Sequence, residues 1–191
     1  MESLNDVWNE LIERLQHGRE LGYAGFEPVY YLIFSPNQIL EVKRRMPAWM
    51  AKLRNKEWDV HTFSIAEQIL DILRNSPLRK IWIAADRKNP LEWDKTNKAL
   101  SNAIETNGEL ESRLMHKLEE LEKQKNPILL VTDLEALHPY IRIGVIESKL
   151  QGKFRVPTVF LYPGERTGKT KLKFLKFYPE DGNYRSVHIG G

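Results

Sequence analysis

The sequence predicts an α/β fold with a mainly parallel β-sheet, helices on both faces and a C-terminal antiparallel β extension. Short apolar runs rich in β-branched and aromatic residues alternate with longer segments of helical periodicity, which is typical of parallel sheets. After residue 162 the predicted strands are separated only by short turns, which favours antiparallel pairing. The chain has 191 residues, 41% of them hydrophobic, and this predicts a single domain over 1–191.

The N-terminal part begins with an amphipathic helix that Ser3 can cap and Gly18 can end. The apolar run at 29–34 predicts a buried strand, after which Pro36 occupies a favoured first helical position. Pro47 is expected to kink or split the helix that follows, because proline removes a backbone hydrogen bond. A weaker strand, WDVHTFSI, and a helix, AEQILDILRN, come next.

The second half continues the alternation. The run KIWIAAD at 80–86 predicts another strand, and a polar helical stretch over about 95–125 is expected to be interrupted at Gly108. PILLVTD at 127–133 gives the clearest strand signal of the chain. The remaining segments are a helix within PYIRIGVIESKLQG and strands in VPTVFLY, KLKFLKF and YRSVHI.

Composition excludes several kinds of site. The chain has no cysteine, so a disulfide framework, a thiolate metal site and a cysteine nucleophile are all excluded. The five histidines have no metal-ligand spacing, and no serine-nucleophile motif is present. No run approaches about 18 apolar residues, and the acidic N-terminus does not resemble a signal peptide. We therefore expect a cytoplasmic protein that is not an enzyme and has no cofactor.

The segment YPGERTGKTKLKF resembles a phosphate-binding loop but departs from it in two ways. Only three residues separate Gly164 from Gly168, whereas the motif that ends in Lys169 and Thr170 requires four. A strand, and not a helix, is predicted after it, and the first strand of the chain carries no glycine. We expect a glycine-bearing turn between strands, with a positive φ at Gly164, in a fold that resembles a degenerate nucleotide-binding domain without its phosphate loop.

Two carboxylates follow predicted strands. Asp86 and Asp133 stand where a magnesium ligand is found in nucleotide hydrolases, since strand ends of open α/β sheets face the ligand crevice. An aspartate can equally cap the following helix. Because no intact phosphate loop is present, we favour the capping role.

Basic residues are concentrated near the C-terminus. From Gln151 to Gly191 the chain has eight Lys and Arg against three Asp and Glu. In an extended conformation, alternate lysines lie on one face, and nearby aromatic residues could stack on bases. The alternative is that the lysines protect an edge strand and the aromatics fill a core. The candidate nucleic-acid-binding residues are Arg166, Lys169, Lys171 and Lys173.

The C-terminal half resembles the BrxB family of BREX (bacteriophage exclusion) systems. The likeness rests on LHPY, the ESKLQGK helix, VPTVFLYPG, the LKFL strand and YRSVHI, and the ILLVTD and VYYLIF strands also fit. It implies a component of an antiviral defence system that also contains a methyltransferase, a large ATPase and PglZ, a phosphatase-superfamily protein.

The resemblance implies an adaptor or assembly factor that acts through protein–protein interaction. A PglZ-like protein is the expected partner, other BREX components and nucleic acid are further candidates, and no membrane is involved. Arg185, with the aromatic Tyr184 beside it, is the first candidate for partner binding, because guanidinium can form a bidentate contact with a carboxylate. Tyr162, in the same block, is the second. The alternative is a nucleic-acid-binding module of the same system.

Overall fold

A parallel sheet forms the centre of the computed structural model, which describes residues 3–20, 27–105, 108–168, 171–182 and 186–191. Its strand order is β2-β3-β4-β1-β7, and β5 and β6 extend it from β4. The strands are β1 Val29–Phe34, β2 Asp59–Ser64, β3 Pro127–Thr132, β4 Thr158–Arg166, β5 Lys171–Phe174, β6 Asp181–Gly182 and β7 Val187–Gly190. The α/β fold with a mainly parallel sheet is thus confirmed.

Seven α-helices occur among the described residues, and both faces of the sheet are covered. They are α1 Leu4–Glu20, α2 Ile39–Arg54, α3 Ile65–Asn75, α4 Arg79–Lys88, α5 Trp93–Glu105, α6 Glu109–Leu121 and α7 Ile143–Lys149. Short 3-10 helices at Pro36–Gln38 and Leu134–Leu137 follow β1 and β3. No helix in the described part of the chain has both the length and the apolar character required to cross a membrane.

The two faces of the sheet form two separate hydrophobic cores. Tyr30 and Leu32 of β1 pack with α1 and α2, while Tyr31 and Ile33 point to the opposite face and pack with α3, α6 and α7. This alternation follows from the two-residue period of a strand. In the first core, Trp8 and Trp49 stack with ring centroids 4.4 Å apart. Burial of each large side chain contributes about 1.5–3 kcal/mol, so both cores stabilise the sheet from opposite sides.

The run KIWIAAD is helical, so the prediction of a strand over 80–86 was wrong. These residues lie within α4, where Asp86 is a helix residue and neither a strand end nor a cap. A short apolar run does not separate strand from helix by its pattern alone, and tertiary context decides the outcome. Pro47 does not split its helix either, because α2 runs from Ile39 to Arg54 with Pro47 inside it.

The C-terminal strands are only partly antiparallel. β5 pairs antiparallel with β4 and with β6, as predicted, but β7 pairs parallel with β1 through Tyr30↔Val187 to Ile33↔Gly190. The chain therefore returns to the sheet after the hairpin and adds a parallel edge strand. The interruption predicted at Gly108 is confirmed, since this residue precedes α6 with φ +55°.

Gly164 is required for a reason other than the expected positive φ. It lies inside β4 and is not among the glycines with positive φ, so that expectation was wrong. A Cβ at this position would be 2.5 Å from the Lys173 carbonyl oxygen and 2.5 Å from the Tyr162 ring. The glycine allows β4 and β5 to approach each other over an aromatic side chain.

Candidate functional site

The carboxyl ends of β1 to β4 meet at one edge of the sheet, where open α/β folds bind ligands. The residues at this edge include Ser35 after β1, Ser64 at the end of β2 and Asp133 after β3. The hairpin of β4 and β5 also begins here, because β4 runs three residues beyond its last pairing with β1 at Phe34↔Pro163.

The turn after β1 occupies the position that a phosphate loop has in nucleotide-binding folds. It contains Ser35, Pro36, Asn37 and Gln38 and no glycine. The Ser35 N–H donates to Gln38 Oε1 at 3.1 Å, and the Gln38 N–H donates to the Ser35 carbonyl at 2.8 Å. These donors are used within the turn, whereas a phosphate loop directs its N–H groups to the ligand.

The segment that resembles a phosphate loop joins two antiparallel strands, as predicted. Gly164 pairs with Phe174 across the hairpin, the Arg166 side chain donates from Nε to the Gly168 carbonyl at 2.9 Å, and the Thr167 N–H donates to the Lys171 carbonyl at 3.0 Å. Lys169 and Thr170 lie outside the described residues. The segment precedes a strand and so lacks the helix N-terminus that a phosphate loop uses.

Asp133 is the centre of a polar cluster at the carboxyl edge. Its carboxylate accepts hydrogen bonds from Ser64 Oγ at 2.7 Å and Thr132 Oγ1 at 2.8 Å, and Lys43 Nζ lies 2.6 Å from Oδ1. The same ammonium group lies 2.7 Å from Glu135. The cluster therefore links α2 to the ends of β2 and β3.

The capping role predicted for Asp133 was wrong. The residue precedes a 3-10 helix, but its side chain makes no cap hydrogen bond and its φ is +59°. Partial burial alone would raise the pKa of Asp133, but the hydrogen bonds from Lys43, Ser64 and Thr132 outweigh it and lower this pKa. The carboxylate is held charged within an internal network.

The basic C-terminal face is partly neutralised by neighbouring carboxylates. Lys171 and Lys173 point outward while Leu172 and Phe174 are buried, as the period of two predicts. Lys171 lies 3.3 Å from Glu180, and Lys173 lies 3.7 Å from Glu165. These pairs reduce the positive charge available to a phosphate backbone.

Tyr162 lies inside the protein, where it has no exposed surface to present to a partner. Its side chain is 0% exposed, and its hydroxyl has no hydrogen-bond partner among the described residues. It packs edge-on against Tyr31, with ring centroids 5.6 Å apart, and against Phe174 at 5.5 Å. Burial raises the pKa of Tyr162, so its hydroxyl is neutral. The other two candidates for partner binding, Tyr184 and Arg185, lie outside the described residues.

Beneath the hairpin, Tyr31 joins a partly buried carboxyl group that the sequence analysis missed. The Tyr31 hydroxyl donates to Glu147 Oε2 at 2.5 Å, and the His188 ring packs edge-on against the Tyr31 ring at 5.6 Å. Burial raises the pKa of Glu147 to about 7, against the hydrogen bond from Tyr31, and the charges of Glu27 and Asp181 raise it further. Burial, helped by the charge of Arg166, lowers the pKa of His188 to about 4.

A signal for Glu147 was present in the sequence. The neighbouring residues Ile143, Ile146 and Leu150 form the buried stripe of α7 and its end, and Glu147 lies on the same side of the helix. A carboxylate within an apolar stripe indicates a buried partner. Its partner Tyr31 is 116 residues away in sequence, so the pair itself could not be predicted.

A comparison with known protein families gives a match. A family model described as BREX protein BrxB matches residues 61–189, which is more than half of the chain and runs from β2 to β7. No curated protein and no solved structure matches the chain. The resemblance inferred from the C-terminal motifs is thereby confirmed.

Proposed function

The chain belongs to the BrxB family of BREX phage-defence components, and we propose that it acts there as a non-catalytic adaptor that binds a PglZ-like partner. The observation that carries the proposal is the internal use of the groups at the carboxyl edge. Lys43 and Ser64 both bond to the Asp133 carboxylate, and the turn at Ser35 closes on itself. This edge serves to hold the fold together.

The C-terminal hairpin also supports the proposal. The segment that resembles a phosphate loop is part of this hairpin and leads into β5. Among residues 3–20, 27–105, 108–168, 171–182 and 186–191, no group of three or more His, Asp or Glu could hold a metal ion. An adaptor contributes to a defence system through the partners it brings together. The cytoplasmic location of this protein stays a prediction.

Co-purification tests the adaptor role. The tagged protein is expressed with the complete defence cluster, and the proteins it retains are identified by mass spectrometry. We expect a PglZ-like protein to be retained in a stable complex. Its absence, in cells that do exclude phage, would contradict the proposal.

Nucleic-acid binding is the second candidate, favoured by the outward direction of Lys171 and Lys173 on β5. The carboxylates of Glu180 and Glu165 beside these lysines argue against it. Salt dependence separates the two functions, because affinity through phosphate contacts falls steeply as salt rises. A decrease in DNA binding of about 10³-fold between about 50 and about 200 mM salt, as for six or more phosphate contacts, would favour the nucleic-acid module.

A further inference from the structure

The helix α4 has an apolar stripe that the described chain leaves largely open. Leu78, Ile81, Trp82 and Ala85 follow helical spacing and lie on one side of the helix. Ile81 is 62% exposed, and α4 has no buried residue at all. A helix of ten residues is marginal in water without packing of its apolar face. An apolar stripe this open indicates a binding surface.

Two further exposed apolar side chains follow α4 in the sequence. Leu91, in the connection between α4 and α5, is 92% exposed, and Trp93 at the start of α5 is 59% exposed. Tryptophan is among the residues that contribute most to protein interfaces. We call the side chains of Leu78, Ile81, Leu91 and Trp93 the arm surface.

A concave groove lies beside α4. It has a volume of about 540 Å³, and its lining combines apolar side chains with a few polar ones. A groove of this size can receive one or two protruding side chains of a partner, whereas a flat membrane surface offers nothing to fill it. The lining includes Ile72, Leu78, Trp82, Ala99, Asn102 and Glu109.

Charge selects the chemistry of the partner. On α4, helical spacing places Arg79 and Lys88 beside the apolar stripe and Lys80 and Arg87 farther round the helix, with Asp86 as the one acidic residue of the helix. None of these five forms an ion pair among the described residues. Two copies of the chain that met through α4 would bring like charges together, which disfavours self-association. An acidic surface is complementary.

We infer that the arm surface binds an acidic amphipathic helix of a partner protein, with an apolar side chain of that helix seated in the groove beside Trp82. This recognition mode places an apolar helix face in a hydrophobic groove. The inference rests on the proposed adaptor function and assigns it a surface. It differs from the sequence-based assignment of partner binding to Arg185 and Tyr184.

The test compares Ile81→Glu with Leu40→Glu, both in co-purification with the complete defence cluster and in binding to the purified PglZ-like protein. Leu40 is 67% exposed on α2, so the control introduces the same charge at a similarly exposed position outside the arm surface. Both variants should keep the thermal stability of the wild type. We expect Ile81→Glu to lower the affinity roughly tenfold or more, as for a central interface residue, and Leu40→Glu to leave it unchanged.

The outcomes separate the inference from the proposed function. If the wild type and Ile81→Glu retain the PglZ-like protein equally, the adaptor role stands and the arm surface is overturned. If the wild type retains a different component of the cluster and Ile81→Glu does not, the arm surface stands and the PglZ assignment fails. If the wild type retains nothing, both are overturned. Self-association that Ile81→Glu abolishes, or binding to anionic vesicles alone, would also overturn an acidic helix as the occupant.

Discussion

The helices α4 and α6 carry similar apolar stripes but differ in what covers them. In α6, Leu110, Leu114, Leu118 and Leu121 are each 0% exposed, while α4 buries no residue. Both helices contact α3 and α5, but α6 also packs against β3 of the sheet. The comparison shows that one periodic pattern can build a core or present a surface.

The largest expected effect comes from replacing one apolar side chain in each helix by alanine. Leu118→Ala removes a fully buried side chain and should lower the free energy of unfolding by about 2–5 kcal/mol. Ile81→Ala, at 62% exposure, should change it by less than about 0.5 kcal/mol. Urea denaturation measures both. A large decrease for Ile81→Ala would mean that α4 belongs to the folded core.

The sheet was predictable from sequence because buried parallel strands appear as continuous apolar runs. The strands at 29–34 and 127–132 match the runs VYYLIF and PILLVT. The run IWIAA offered the same kind of signal and is helical in α4, since a short apolar run fits either structure. The difference between them is whether a neighbouring strand is available for pairing, which local sequence does not contain.

The polar clusters were less predictable than the strands. Ser64 and Asp133 bond across 69 positions, and Lys43 bonds to the same carboxylate from α2. Only the assembled sheet brings these groups together. The apolar run before Asp133 correctly predicted its place at a strand end, but it could not show whether the side chain would cap a helix or join a neighbouring strand.

The second prediction asks whether the β4–β5 hairpin belongs with the packed core or with the open surface. Gly164→Ala places a Cβ 2.5 Å from the Lys173 carbonyl and should cost about 1–3 kcal/mol through overpacking. Gly168→Ala is the matched control, because no atom of the described residues other than its chain neighbours lies within 4 Å of a Cβ added there. Thermal denaturation of the two variants compares them directly. Equal stability would show that the hairpin can move away from the sheet without cost.

The third prediction uses the two titrating groups that face Tyr31 beneath the hairpin. The pKa of Glu147 is raised from 4.5 to about 7, so its contribution to stability is complete below about pH 4.5 and is lost as pH rises through about 7. The pKa of His188 is lowered from 6.5 to about 4, so its contribution is complete above about pH 6.5 and is lost as pH falls through about 4. Between these values the two dependences oppose each other.

Two variants separate these contributions. Glu147→Gln should leave a protein whose stability falls on acidification from about pH 6.5 to about 5, by less than about 1 kcal/mol per pH unit because solvent screens the partly exposed His188 ring. His188→Gln should leave one whose stability falls as pH rises over the same range. Denaturation at several pH values measures the slopes, and parallel slopes in both variants would contradict the assignment.

The smallest expected effect lies at the exposed lysines of β5. Lys171 and its partner Glu180 are 60% and 47% exposed, and Lys173 and Glu165 are 35% and 37% exposed. Exposed pairs of this kind contribute about 0–1 kcal/mol each, so the double variant Lys171→Gln with Lys173→Gln should keep nearly the stability of the wild type. Thermal denaturation checks this expectation.

The same double variant tests whether the functional surface is the arm surface or lies on the C-terminal strands. If Lys171 and Lys173 have only a structural role in the hairpin, the variant also retains phage exclusion and binding of the PglZ-like partner. A nucleic-acid module predicts weaker DNA binding at unchanged stability, with a salt dependence that decreases by about one unit for each phosphate interaction removed. Because the expected change in stability is so small, a defect in phage exclusion would indicate lost binding. That result would assign the functional surface to β5 and not to the arm surface.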